Sequence, residues 1–232
     1  MKSIDRLISE QVLTWSKREA LAKKRNRAPE IWPVITISRE YGAKGRSLAD
    51  DLGKRTGFKI WDKSLLSAIA DEAGADELFL ASIDERRRKL IDDALHGSLM
   101  GAKHSNTHYY RSLLSVVQTI GVHGKSVIVG RGANYIINSP DPLRIRIVCP
   151  VDLRVKFVAK SENITEKEAE KLIKSKDADR VDFIRHFFKK DPNDPHDYDL
   201  VLNSGVFSLE AMTDLVLYAY EKKVGKAIVQ TT

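Results

Sequence analysis

The sequence predicts an α/β fold built on a central parallel five-stranded sheet. Three observations carry that reading. Five short runs rich in β-branched residues are separated by longer segments of helical pattern, an alternation that produces parallel strands joined by crossover helices on both faces. Polar loops follow the strands at Ser38–Arg46, at Asp62 and at Gly130–Asn134, and in such sheets ligands gather at the carboxyl ends of the strands. The first strand also runs through a glycine-bearing loop into an amphipathic segment, in "PVITISREYGAKGRSLADDLGKRTG".

Residues 1–30 carry apolar positions at Ile4, Leu7, Ile8, Val12 and Trp15, then a basic cluster from Lys23 to Arg27. This is the pattern of an amphipathic helix with a basic tail. We expect this extension to pack on the domain that follows, residues 31–232, or to pair two copies of the chain as a homodimer. The first strand is read at Val34–Ile37 and the second at Phe58–Trp61, where Asp62 closes the strand and is placed to cap a helix. From Asp76 to Gly124 there is no strand-like run, and the stretch reads as helical with a break around His96–His108. "SVIVGRGANYIIN" and "LRIRIVCP" give the third and fourth strands, and Val151–Lys190 is a charged helical segment. After the break "DPNDPHD", "YDLVLN" is the fifth strand and Leu209–Lys223 a closing helix.

At 232 residues the chain is long enough for one good core. Hydrophobic content of 42% beside 31% charged residues is ordinary for a globular protein. No apolar stretch approaches the roughly 18 residues of a membrane span, and Met1–Arg6 lacks the apolar core of a signal peptide. The cytoplasm is the expected location, with no membrane partner. A net charge of +7 suits an anionic ligand, nucleotide or nucleic acid. The basic N-terminal cluster lacks aromatic interleaving and no nucleic-acid motif occurs, so nucleic acid is not the expected partner. The lone Cys149 ends an apolar run and reads as a buried strand residue. The histidines at 96, 104, 108, 123, 186 and 196 show no metal-ligand spacing.

The loop after the first strand carries the chemistry. A helix N-terminus favours an anion through its N–H groups and dipole, and Gly42 and Gly45 permit positive φ and close approach. Gly42, Ala43, Lys44, Gly45, Arg46 and Ser47 are therefore the expected phosphate-binding stretch for ATP. The common phosphate loop reads G-x-x-x-x-G-K-[ST], whereas here Glu40 stands for the first Gly and Arg46 for the Lys. The catalytic cation must then come from Lys44 or Arg46, and a guanidinium offers permanent charge and a bidentate fork. The Ser47 hydroxyl takes the position of a Mg²⁺ ligand. The alternative is a solvated turn at a helix start, with Arg46 paired to surface carboxylates.

In this order the signals resemble the nucleoside monophosphate kinases, most closely the cytidylate kinase-like branch of the P-loop kinases, from about Pro33 to Lys223. "ITISREYGAKGRSLA" is similar to that branch's opening signature, in which Ser-Arg-Glu-Tyr-Gly followed by Gly-Arg replaces the lysine loop. "FKIWDKSLL" resembles its second strand, "VIVGRGAN" its third-strand signature, and "DADRVDFIRHFF" with "DPHDYDLVLN" its lid helix and last strand. The resemblance implies a P-loop kinase-type three-layer α/β/α fold with a helical lid at about 161–190. It further implies an acceptor-binding helical region at about 62–124, nucleotide substrates, and ATP and Mg²⁺ as cofactors. Cytidylate kinases carry Arg-Asp-x-x-Asp-Ser-x-Arg in the lid; Asp179, Asp182 and Arg185 fall on that spacing, Ala178 and Phe183 replace the first Arg and the Ser, and Arg180 is an added base. Their third-strand signature is Gly-Arg-Asp, whereas this chain has Gly130-Arg131-Gly132 and lacks the carboxylate tied to base recognition. The expected acceptor contacts are Arg39, Asp62, Arg131, Asp179 and Asp182, and the expected catalytic cations Arg46, Arg180 and Arg185. Asp62 has a helix cap as its alternative role, Arg131 a strand-end ion pair, and the lid charges the ion pairs of an exposed helix.

The expected function is ATP-dependent phosphoryl transfer to a nucleoside monophosphate (CMP-like) or similar small acceptor. Positioning and electrostatics carry such a reaction without a covalent intermediate. The alternative is a non-catalytic nucleotide-binding sensor or regulatory module of the same fold. A dead cradle need not keep the loop cation, the magnesium hydroxyl and the lid arginines together, and this chain has all three. The thin apolar stripe of the lid predicts weak docking without ligand.

Overall fold

The computed structural model describes residues 4–24, 32–72, 74–83, 85, 88, 89, 91, 107–138 and 140–226. In chain order the elements are α1 (Ile4–Lys24), β1 (Ile35–Arg39), α2 (Gly45–Thr56), β2 (Lys59–Trp61), α3 (Lys63–Asp71), α4 (Ala75–Ala81) and α5 (Thr107–His123). There follow β3 (Ser126–Val129), α6 (Ala133–Ile136), β4 (Leu143–Val148), α7 (Val151–Glu162), α8 (Glu166–Phe188), β5 (Leu200–Asn203) and α9 (Leu209–Val224). They belong to two compact units, one of residues 1–33, 61–125 and 136–141, the other of 34–60, 126–135 and 142–232.

The first unit is helical. Helix α1 packs against α3 and α4, and α5 packs against the same two helices. Of the apolar face read in the N-terminal segment, Ile8 and Trp15 are buried and Ile4, Leu7 and Val12 half-buried: Trp15 stacks on His123 with ring centroids 4.0 Å apart and meets Phe79 edge-on at 5.1 Å. Arg25, Arg27 and most of the break expected at 96–108 lie outside the described residues.

The second unit holds the sheet, with strand order β2-β3-β1-β4-β5 and all strands parallel. Its central strands are β-branched because both faces are covered: Ile35, Ile37, Val127, Ile128, Val129, Ile145 and Ile147 are each at most 1% exposed. Strand β1 ends two residues later than hydropathy suggests. Ser38 and Arg39 are polar, but they continue the register against Arg146 and Ile147 of β4. The chain leaves β1 to pass over β3 to β2, whereas β3 and β4 lead the opposite way along the sheet. The carboxyl end of β1 is therefore where the strand order reverses, the place such sheets reserve for ligands. Helix α2 packs on β1, β3 and α9, and α7 packs on α8. Gly57 ends α2 in the left-handed region, its N–H closing on Gly53 O. Thr165 starts α8 with a full capping box to Glu168.

Candidate active site

The site begins where β1 stops. Glu40 N–H extends the ladder by one bond to Ile147 O at 3.1 Å, and Ala43 N–H then folds back to Glu40 O at 3.3 Å. Gly42 at φ +79° and Lys44 at φ +60° are both left-handed. Helix α2 starts with no side-chain cap and no acid in its first turn, and the dipole of a helix N-terminus favours an anion. Both loop glycines are steric requirements. A Cβ at Gly42 would lie 2.7 Å from Val158 Cγ2 of α7, and one at Gly45 2.8 Å from Arg39 Cγ.

Side chains of α7 and α8 hold the loop backbone. Arg154, 8% exposed, donates Nε to Cys149 O at 3.0 Å and Nη1 to Tyr41 O at 3.2 Å and Asp177 Oδ2 at 2.5 Å. Glu40 Oε2 lies 3.6 Å from Arg154 Nε and accepts the Cys149 N–H at 2.8 Å. The carboxylate at the usual first-glycine position is thus a counter-ion for a buried arginine. Asp177 Oδ1 accepts the Tyr41 N–H at 2.7 Å. Arg180 Nη1 donates to Arg39 O at 3.2 Å and to Asp177 Oδ1 at 3.5 Å, its guanidinium 5.3 Å from the Tyr41 ring centroid. Burial pulls the Arg180 pKa below its ordinary value, and Asp177 opposes that shift. The apolar stripe of α8 is as narrow as its composition suggests, with Ala169, Ile173 and Ile184 its buried residues. Val158, Ala169 and Ile173 form a buried cluster that Tyr41, Ile164 and Leu172 extend, so the β1 loop supplies an aromatic to that stripe.

The remaining expected residues fall into four groups. Arg39 reaches the loop after β3, and Arg131 reaches α8. A Cβ at Gly130 would lie 2.2 Å from Arg39 Nη1, so the loop after β3 is glycine where Arg39 crosses it. Arg131, at φ +56°, sets its guanidinium 5.1 Å from the Phe183 ring centroid on α8. Arg46 is exposed, its Nε 3.0 Å from Asp50 Oδ1 one turn along α2, and Lys44 Nζ lies 5.9 Å from the Phe157 ring centroid. Asp179, Asp182 and Arg185 are exposed, and their side chains make no hydrogen bond or ion pair among the described residues. Asp62, in the first unit, caps α3 by accepting the Leu65 N–H at 2.8 Å.

Sequence reasoning missed Arg154, Asp177 and Arg146. Arg146 is buried on β4, donating Nη1 to Ser38 Oγ at 2.9 Å and Nη2 to Asn193 Oδ1 at 2.8 Å. The alternation "LRIRIV" was its available signal, since an arginine at every second strand position occupies one face of a sheet. Gly132, where the related signature has a carboxylate, is covered by Phe188: a Cβ there would lie 2.2 Å from Phe188 Cε2. The Phe188 ring in turn packs on Tyr135 at 5.4 Å.

Among the described residues no group of three or more His, Cys, Asp or Glu is arranged to hold a metal ion. The residues fit a phosphate-borne magnesium instead: the half-buried Ser47 hydroxyl has no protein partner among the described residues, and Mg²⁺ usually takes few protein ligands beside phosphate and water. No helix among the described residues is long and apolar enough to cross a membrane.

The fold and the loop together define a parallel α/β protein of the P-loop kinase type. Residues 34–206 match the cytidylate kinase-like family, and the chain belongs to that family. A cytidylate kinase of Pyrococcus abyssi (strain GE5 / Orsay) is 25% identical over 194 residues, covering 82% of this chain and 96% of that protein. The crystal structure of an uncharacterized protein from Eubacterium ventriosum ATCC 27560 superposes with a TM-score of 0.63 at 20% identity, over 82% of this chain and 98% of that one. At that identity the likeness concerns the fold.

Proposed function

We propose that the chain is an ATP- and Mg²⁺-dependent phosphotransferase acting on a nucleoside monophosphate (CMP-like) or a similar small acceptor. The observation that carries this is the convergence of three segments: the β1 loop, the β3 loop and α8 meet through Arg39 over Gly130 and Arg131 over Phe183. The N–H groups at the start of α2 bind the ATP phosphates, and Ser47 would hold the Mg²⁺, which would supply charge neutralisation of the phosphates. Arg46 leaves its solvated pair with Asp50 for the phosphates, an exchange of small cost because exposed pairs contribute little. Arg39 and Arg131 orient the acceptor anion, with Asp179 and Asp182 at the lid edge. Arg185 brings its exposed charge to the transferred group as α8 screens it from water.

Incubation with ATP, Mg²⁺ and a panel of nucleoside monophosphates and small alcohols, read as ADP formation, tests this directly. Acceptor-dependent ADP is expected, and its absence across a broad panel sinks the proposal. A nucleotide sensor of the same fold is the second reading. The Arg46–Asp50 pair favours it, since the cation at the lysine position is directed along its own helix. A sensor binds ATP without turnover.

A further inference from the structure

We propose that Asp177 is a positioning residue for the phosphate loop, its carboxylate on α8 fixing the loop's shape before ligand arrives. One carboxylate serves three donors: Tyr41 N–H at 2.7 Å, Arg154 Nη1 at 2.5 Å and Arg180 Nη1 at 3.5 Å. Both arginines carry the tie on to loop carbonyls, Arg154 to Tyr41 O and Arg180 to Arg39 O, each at 3.2 Å. The backbone on either side of Glu40 is thereby held from outside the loop. The left-handed turns at Gly42 and Lys44 follow immediately, so the direction in which the next N–H groups point depends on the Tyr41 peptide. A phosphate loop with fixed donors needs no rearrangement during the reaction, which is how preorganised dipoles favour a transition state.

The arrangement also divides the two lid arginines. The hydrogen bonds of Arg180 go to Arg39 O and Asp177, whereas Arg185 is exposed and makes none among the described residues. Arg180 therefore acts through the loop and Arg185 is left for the substrate. The side chains of Arg154, Asp177 and Arg180 are 9%, 28% and 28% exposed. Loss of the carboxylate leaves two partly desolvated guanidinium groups with Glu40 as the remaining anion, beside Arg154.

The inference rests on the phosphotransferase reading for its kinetic readout alone. In the full chain, Asp177→Asn keeps an acceptor for Tyr41 N–H and removes the charge, and Asp177→Ala removes both. Hydrogen exchange of residues 40–46 without ligand is expected to quicken, most in Asp177→Ala, and Mg²⁺–ATP affinity of the folded protein to fall by about tenfold or more, because small misplacements of positioned groups are costly. Where turnover is measured, kcat falls while the acceptor KM stays. A lower melting temperature with loop exchange and ATP affinity unchanged overturns the proposal, because the carboxylate then only fastens α8. If neither variant folds, Arg180→Lys takes their place: it keeps the charge, loses the fork, and must quicken loop exchange or the proposal fails. Lack of turnover in the unaltered protein removes the phosphotransferase reading and leaves loop exchange and ATP binding to decide this one.

Discussion

Gly132→Asp restores to the loop after β3 the carboxylate of the Gly-Arg-Asp signature, and the structure predicts that this chain resists it. A Cβ at position 132 would lie 2.2 Å from Phe188 Cε2 and 2.5 Å from Cζ, far inside van der Waals contact. If the ring swings aside it leaves Tyr135, whose centroid is 5.4 Å away, and an aromatic pair is worth about 0.5–1.5 kcal/mol beyond its buried area. If it stays, overpacking costs about 1–3 kcal/mol. Gly132 also sits at φ +69°, where a side chain adds about 1 kcal/mol. The expected destabilisation is about 2–4 kcal/mol, or about 5–15 °C in Tm for a protein of this length. Urea denaturation measures it through the shift in midpoint at constant slope. Phe188→Ala in the same background removes the obstacle, so the double variant is expected to be more stable than the two single losses added together predict. Wild-type stability in Gly132→Asp, or strict additivity in the cycle, refutes the reasoning.

Arg46→Ala is expected to weaken ATP binding in calorimetry while shifting stability by less than about 1 kcal/mol, because its pair with Asp50 is exposed; equal ATP affinity transfers the role to Lys44 or the backbone. Arg154→Met leaves Glu40 and Asp177 facing an apolar side chain, and a loss of about 2–4 kcal/mol is expected in denaturant melts, less than for a fully buried pair because both carboxylates keep some exposure. Thr165→Ala removes the capping box of α8 and is expected to cost about 1 kcal/mol. The same cap sets a pH dependence: the Thr165 side-chain and backbone hydrogen bonds hold the Glu168 pKa below its ordinary 4.5. Its contribution is present above that value and lost as pH falls through the lowered folded pKa, which amide exchange in the first turn of α8 along an acid titration reads out.

The strands were legible because residues buried on both faces must be apolar and favour β-branched types. The last two residues of β1 were not, because Ser38 and Arg39 belong to the strand only by virtue of their partners on β4. The loop was legible at Gly42, which needs a left-handed backbone, and silent at Lys44, which adopts one without a glycine to mark it. Helix α8 showed its charges and their spacing, but not which of them bond to the β1 loop. Arg154 and Asp177 look like any solvated pair in a charged helix until the helical phase is fixed against a loop more than a hundred residues away, where Tyr41 supplies the donor and the acceptor. Arg180 and Arg185 differ for the same reason. Beside Asp177, the partner of Arg180 is the carbonyl of residue 39, and a backbone carbonyl is offered by every residue alike. Side-chain motifs therefore marked the candidate phosphate loop, whereas Arg154, Asp177 and Arg180 reach its backbone peptide groups.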